Sequence, residues 1–121
     1  MSDKKLLIID DEPGFVELVL EYFRREGYEA RAALNLEDAI QVFRQQKPPV
    51  VILDFNMPML TTEKVLPILQ TLNPAVKVIV VTGCLEDEVE SKFKGLKYFA
   101  FFEKGNFSLE SLKKKVDEAL A

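Results

Sequence analysis

Five polar residues in this sequence could do chemistry together: the adjacent acids Asp10 and Asp11, then Asp54, Thr82 and Lys104. Each follows a short apolar run. Leu6-Leu7-Ile8-Ile9 precedes the acid pair, Val50-Val51-Ile52-Leu53 precedes Asp54, Val78-Ile79-Val80-Val81 precedes Thr82, and Tyr98-Phe99-Ala100-Phe101-Phe102 comes shortly before Lys104. Burying an ionised carboxylate unpaired costs on the order of several kcal/mol, so each acid belongs where its strand emerges. Three carboxylates meeting at one edge need a cation, and an all-oxygen donor set with room for water suits Mg²⁺. A carboxylate beside that metal can attack phosphorus and form an acyl phosphate, because the metal offsets the repulsion between the anionic nucleophile and the phosphoryl oxygens. Lys104 offers a flexible point charge to one phosphoryl oxygen, and Thr82 a hydroxyl donor to another. In-line phosphoryl transfer asks mainly for positioning and electrostatics.

Taken singly, these residues have plainer readings. Asp10-Asp11-Glu12 before Pro13 suits the start of a helix, where acids are favoured and proline fits the first position. Asp54 could open a turn completed by Asn56 and Pro58. The chemical reading therefore depends on the elements that would carry them to one place.

Those elements follow from periodicity. The runs at 6–9 and 50–53 are continuous and rich in β-branched residues, as in strands buried on both faces of a parallel sheet. Phe15, Leu18, Val19, Tyr22 and Phe23 have helical spacing up to Arg25, and Gly27 stands where a left-handed C′ residue would. A weaker strand spans 28–34, with Arg31 suggesting a more exposed place in the sheet. Asn35 caps a second helix with Glu37 and Asp38 in its first turn and Ala39, Ile40 and Phe43 inward, and Lys47-Pro48-Pro49 ends it. A third helix is expected from about Thr62 to Leu72, with Pro67 implying a late start, a kink or a shortened helix. Strands at 76–81 and 98–102 flank an acidic helix at 86–93, whose thin stripe of Val89 and Phe93 would hold it loosely. A last helix, 109–120, turns Leu109, Leu112, Val116 and Leu120 to one side.

Composition narrows the possibilities. At 121 residues the chain is one domain, 1–121, with an apolar share of 48% and 30% charged residues. A net charge of −4 gives no basic footprint, so no direct nucleic-acid binding is expected. The single cysteine excludes an internal disulfide, and no signal peptide or long apolar run is present, so no membrane contact and a cytoplasmic location are expected. The absence of histidine removes Ser-His and Cys-His catalysis and most zinc sites.

Strands alternating with helices argue an α/β fold: a single doubly wound, five-stranded parallel sheet with five helices in a flavodoxin-like three-layer sandwich. If the strand order is 2-1-3-4-5, the first and third strands end side by side, and Asp10, Asp11, Asp54, Thr82 and Lys104 converge at the carboxyl edge, where ligands bind in open α/β sheets.

With these residues in place, the whole chain resembles a response-regulator receiver domain of two-component signalling. The matching positions are Asp10-Asp11, Asp54 with Met57-Pro58, Thr82-Gly83 and Lys104. The strand order 2-1-3-4-5 is known for the chemotaxis member of that family, and the resemblance implies it for this chain. The resemblance implies that Asp54 accepts a phosphoryl group from a phosphohistidine on a sensor histidine kinase or histidine phosphotransfer protein. Asp11, Asp54 and the carbonyl of Asn56 would hold Mg²⁺, with Asp10 acting directly or through water. Phe101 matches an aromatic switch position: as it turns inward, Thr82 moves toward the phosphoryl group, and the surface of the fourth helix, fifth strand and fifth helix changes for an output domain or effector protein. The resemblance also implies a phosphoacceptor that is not an enzyme beyond slow self-dephosphorylation, acting as a monomer or weak homodimer.

Three positions depart from the family pattern. Gly105 stands where proline usually follows the lysine, Met59-Leu60-Thr61-Thr62 lacks the usual Asp-Gly, and Cys84 occupies a variable position near the site. A lone cysteine is more often a small hydrophobe than a redox sensor. Among rival functions, an FMN binder would need a phosphate loop where Asp10-Asp11-Glu12 would repel phosphate. A haloacid-dehalogenase-type phosphatase would want an acid where this chain has Asn56. The remaining alternative is a receiver-like interaction module that is never phosphorylated.

Overall fold

The structure is a computed structural model that describes residues 4–55, 62–92 and 97–121. In chain order the elements are β1 (Lys5–Ile9), α1 (Pro13–Arg25), β2 (Glu29–Ala33), α2 (Leu36–Gln46), β3 (Val50–Leu53), α3 (Thr62–Leu72), β4 (Lys77–Thr82), α4 (Glu86–Lys92), β5 (Ala100–Glu103) and α5 (Leu109–Leu120). The strands form one parallel sheet in the order β2-β1-β3-β4-β5, as expected.

Alternation along the strands builds two cores. Leu7, Ile9, Val51, Leu53, Val78 and Val80 face Ala39 and Phe43 of α2, Val65, Leu66 and Leu69 of α3, and Val89 of α4. Their neighbours Leu6, Ile8, Val50, Ile52, Ile79 and Val81 face Val16, Val19 and Phe23 of α1 and Leu112, Val116 and Ala119 of α5. Because both faces are covered, the inner strands read as unbroken apolar runs. A fully buried side chain of this size contributes about 1.5–3 kcal/mol, which fixes register: a slip of one residue would exchange the two cores.

Local punctuation follows chemistry. Pro13 occupies the first position of α1, and Gly27 takes φ 93° just beyond its end. The Asn35 side chain accepts from Asp38 N–H at 2.9 Å, capping α2, while Ser108 and Ser111 form a reciprocal box at the start of α5. Two expectations shift. α3 starts at Thr62 and runs for 11 residues with Pro67 inside it, so the late start and the shortening do not occur. The proline removes one intrahelical donor, but fully buried Val65, Leu66 and Leu69 anchor the other face, and tertiary packing outweighs local propensity. β5 begins at Ala100, not Tyr98: Phe99 makes a backbone bond to Val78 (2.7 Å) but leaves its ring on the surface, under the Lys77 ammonium.

Candidate functional site

The strand register places the acids. Ile9 pairs with Leu53, so Asp10 and Asp54 are the next residues on adjacent strands, their backbones held by Asp10 N–H to Ala33 O (3.2 Å) and Asp54 N–H to Ile9 O (3.1 Å). Thr82 is level with Glu103 on β5, and Lys104 follows with its N–H on Thr82 O at 2.8 Å. Four strand ends thus deliver the residues singled out in the sequence to one edge. Asn56, with Met57 and Pro58, lies outside the described residues, as does Phe93.

At that edge one carboxylate oxygen from each of Asp10, Asp11 and Asp54 lies within 4.8 Å of the others. Asp10 and Asp54 are almost wholly buried, at 1% and 2% exposure. Lys104 Nζ sits 2.9 Å from Asp10 Oδ2, 3.1 Å from Asp54 Oδ2 and 3.6 Å from Glu12 Oε1. Asp10 Oδ1 accepts from Glu12 N–H at 2.9 Å. Its Oδ2 is different: the Lys104 ammonium pairs with it at 2.9 Å, and among the described residues no further donor approaches it, so a lone pair stays open. A buried carboxylate oxygen with an open lone pair, beside two further carboxylates, is a donor set that fits a hard divalent cation.

Electrostatics reflect the crowding. Burial raises the Asp10 pKa above its ordinary value, helped by repulsion from Asp54 and only partly opposed by Lys104 and the Glu12 N–H. For Lys104, burial is the largest influence and lowers its pKa, but the Asp10 and Asp54 carboxylates together override it and leave the pKa raised. The lysine is therefore charged at neutral pH.

The acids after β1 do not cap α1. Its N-cap, Glu12, makes no side-chain cap bond, and Asp10 instead turns its carboxylate back to the Glu12 N–H. Thr82 is fully buried, and its hydroxyl oxygen accepts from Cys84 N–H at 3.4 Å. Cys84 itself is half-buried against the core of α2, α3 and α4. Phe101 is half-buried on the same side, tilted against Tyr98 with centroids 5.9 Å apart. The Tyr98 hydroxyl reaches Glu86 Oε2 (2.8 Å) and Glu90 Oε1 (3.2 Å), tying the approach to β5 onto α4.

Two residues at the site escaped sequence reasoning. Glu12 was read with the acid run and Phe15 with the apolar stripe of α1, yet Lys104 Nζ lies 4.7 Å from the centre of the Phe15 ring. The loop carrying Lys104 is closed by Asn106 N–H on Glu103 O at 3.0 Å, and no cis peptide occurs among the described residues. Gly105 lies outside the left-handed region, and a Cβ there would meet nothing within 4 Å. Gly105→Ala is accordingly expected to raise the unfolding free energy by about 0.4–1 kcal/mol in urea titrations, by restricting the unfolded chain. A loss of stability would show that the turn needs glycine.

Residues 6–117 match the family described as response regulator receiver domain. The chain belongs to this family. As a receiver domain it is 28% identical over 120 residues to sporulation initiation phosphotransferase F of Bacillus subtilis, covering 99% of this chain and 96% of that protein. It is 36% identical over 91 residues to the probable transcriptional regulatory protein TcrX of Mycobacterium tuberculosis, covering 75% of this chain but 38% of that one. Among solved structures, response regulator protein TrrA of Thermotoga maritima, in complex with Mg²⁺-BeF, superposes with a TM-score of 0.82 at 30% identity, covering 96% of this chain and 98% of that one. A CheY-like receiver domain protein from Methanospirillum hungatei shares the fold at TM-score 0.87 and 23% identity, covering 97% of this chain and 93% of that one. Among the described residues no helix is long and apolar enough to cross a membrane.

Proposed function

We propose that this receiver domain accepts a phosphoryl group on Asp54 in a Mg²⁺-dependent reaction. The donor is a phosphohistidine of a sensor histidine kinase or a histidine phosphotransfer protein. The observation that carries the reading is the meeting of Asp10, Asp11 and Asp54 oxygens within 4.8 Å, with Lys104 Nζ at 3.1 Å from Asp54. An Asp54 carboxylate oxygen attacks phosphorus, the P–N bond to the donor imidazole breaks, and the imidazole leaves with its electron pair. Asp10, Asp11 and Asp54 would hold the metal, with Asn56 completing the set by resemblance. Bound Mg²⁺ supplies charge that offsets repulsion between the carboxylate and the phosphoryl oxygens. Lys104 brings its ammonium to one phosphoryl oxygen, and Thr82, once its hydroxyl swings from Cys84, donates to another.

Kinship supports this reading: one relative is named a phosphotransferase, and TrrA was solved with Mg²⁺-BeF. Phosphorylation then reaches an output domain or effector protein through the face of α4, β5 and α5, where Phe101 and Tyr98 touch. The domain stores the phosphoryl group with at most slow self-dephosphorylation. It works in the cytoplasm as a monomer or weak homodimer.

The test is incubation with acetyl phosphate, with and without Mg²⁺, followed by intact mass measurement. The expected result is a Mg²⁺-dependent gain of one phosphoryl group that disappears in Asp54→Ala. No gain would instead favour an interaction module that is never phosphorylated, and a gain that survives the substitution would remove Asp54 as the acceptor.

A further inference from the structure

Lysine is a point charge on a flexible four-carbon stem, so its value in phosphoryl transfer depends on what aims it. Around Lys104 the backbone is held by the bond to Thr82 O (2.8 Å) and by the turn closed from Asn106 to Glu103 (3.0 Å), while Gly105 offers no side chain as a brace. At the other end, Nζ is held by charge, 2.9 Å from Asp10 and 3.1 Å from Asp54, with the exposed Glu12 carboxylate further off at 3.6 Å. Asp10 and Asp54 are the same groups that the metal would engage, and the exposed Glu12 contact is longer and screened by water, so charge cannot be the whole of what positions the lysine during transfer.

The face of Phe15 is not contested in this way. Its ring centre lies 4.7 Å from Lys104 Nζ, within the range of a cation–π contact. Phe107 meets Phe15 edge-on at 6.1 Å and packs against Phe102 at 6.1 Å. Phe102 belongs to β5, two residues before Lys104, so three rings link the strand that carries the lysine to the first turn of α1 beneath its tip. All three rings are half-buried against the core shared by α1 and α5, which limits their rotation.

We propose that Phe15 is a positioning residue for Lys104: its ring, braced by Phe107, keeps the ammonium directed at Asp54 when the Asp10 and Asp54 oxygens are drawn to a cation. This rests on the phosphoacceptor reading above, in which Lys104 meets a phosphoryl oxygen. An aliphatic residue at 15 fills similar space but offers no ring face, whereas tyrosine keeps one.

The experiment has two arms on the full chain. In NMR spectra of the metal-free protein, the Lys104 ε-methylene protons are expected upfield of those of exposed lysines through the ring current of Phe15. The shift should persist in Phe15→Tyr and collapse in Phe15→Leu. With acetyl phosphate at saturating Mg²⁺, Phe15→Leu is expected to lower the maximal phosphorylation rate about three- to tenfold, with little change in the donor concentration for half-maximal rate, and Phe15→Tyr to restore it. The wild-type spectrum decides the contact even if the leucine variant folds poorly. An unshifted lysine in wild type, or a folded leucine variant phosphorylated at the wild-type rate, overturns the proposal while leaving the phosphoacceptor reading intact. Failure of wild type to become phosphorylated, with the lysine shifted, overturns that reading and the positioning role with it.

Discussion

Lys104→Ala is expected to cost the metal-free protein about 2–4 kcal/mol of unfolding free energy at neutral pH, measured by urea titration in EDTA. Removing one partner of a buried ion pair typically costs about 3–5 kcal/mol, because the charge left behind stays buried and uncompensated. Here the expected loss is placed lower because the lysine side chain is 16% exposed and the cluster opens toward water at the sheet edge. The lysine serves Asp10 and Asp54 at once, so its removal leaves two almost fully buried carboxylates facing one another. The pH dependence has a definite sign. The folded-state pKa of Lys104 is raised above 10.5, so its stabilisation is fully present below that value and disappears as pH rises through the folded pKa. The gap between wild type and variant should thus be flat near neutrality and narrow in strongly alkaline solution. Adding Mg²⁺ should stabilise the alanine variant more than wild type, since a cation then supplies charge that the lysine no longer does. A metal-free variant within about 0.5 kcal/mol of wild type would mean that Lys104 is not what compensates the carboxylates.

How much of this was legible before the fold was known depends on the range of each interaction. Strand-ending acids are a local signal: an Asp after four apolar residues marks the end of its strand, and both Asp10 and Asp54 stand at the sheet edge, although they stay almost wholly buried there, paired with Lys104. Gly27 and Asn35 were equally readable, because positive φ and helix capping are settled within a few residues. Pro67 misled because a local rule gave way to the packing of its near neighbours Val65, Leu66 and Leu69 against strand residues far from them in sequence. Phe15 was found by pattern but not by role. Its helical spacing marks an inward face, and nothing in the spacing says that the residue after β5 will bring a lysine over the ring. Glu12 likewise reads as one acid of three until the chain places it 3.6 Å from Lys104. The plain turn reading of Asp54 loses its ground when four strand ends converge, since independent local causes do not predict that convergence.

Asp10 carries the second large effect, and its sign is opposite to that of most carboxylates. Burial leads its causes, and it raises the folded-state pKa above 3.8 in spite of Lys104. Between the unfolded and folded values the native state binds more protons than the unfolded state, so this group's contribution to stability falls as pH rises through that window. Other acids have their own slopes, so the quantity to follow is the difference between wild type and Asp10→Asn, both in EDTA. That difference is expected to decline with pH by at most about 1.4 kcal/mol per unit, the limit for one proton, and then to level off once Asp10 is ionised in both states. Mg²⁺ reverses the penalty only where the carboxylate is charged. At a concentration tenfold above its dissociation constant it should stabilise wild type by about 1.4 kcal/mol, or roughly 4–7 °C in melting temperature. The gain should vanish at pH values where Asp10 is protonated, and most of it should be missing in Asp10→Asn. A Mg²⁺ gain of equal size in the two proteins would place the ion elsewhere, and the open lone pair of Asp10 Oδ2 would then be a cost of the fold and not a ligand in waiting.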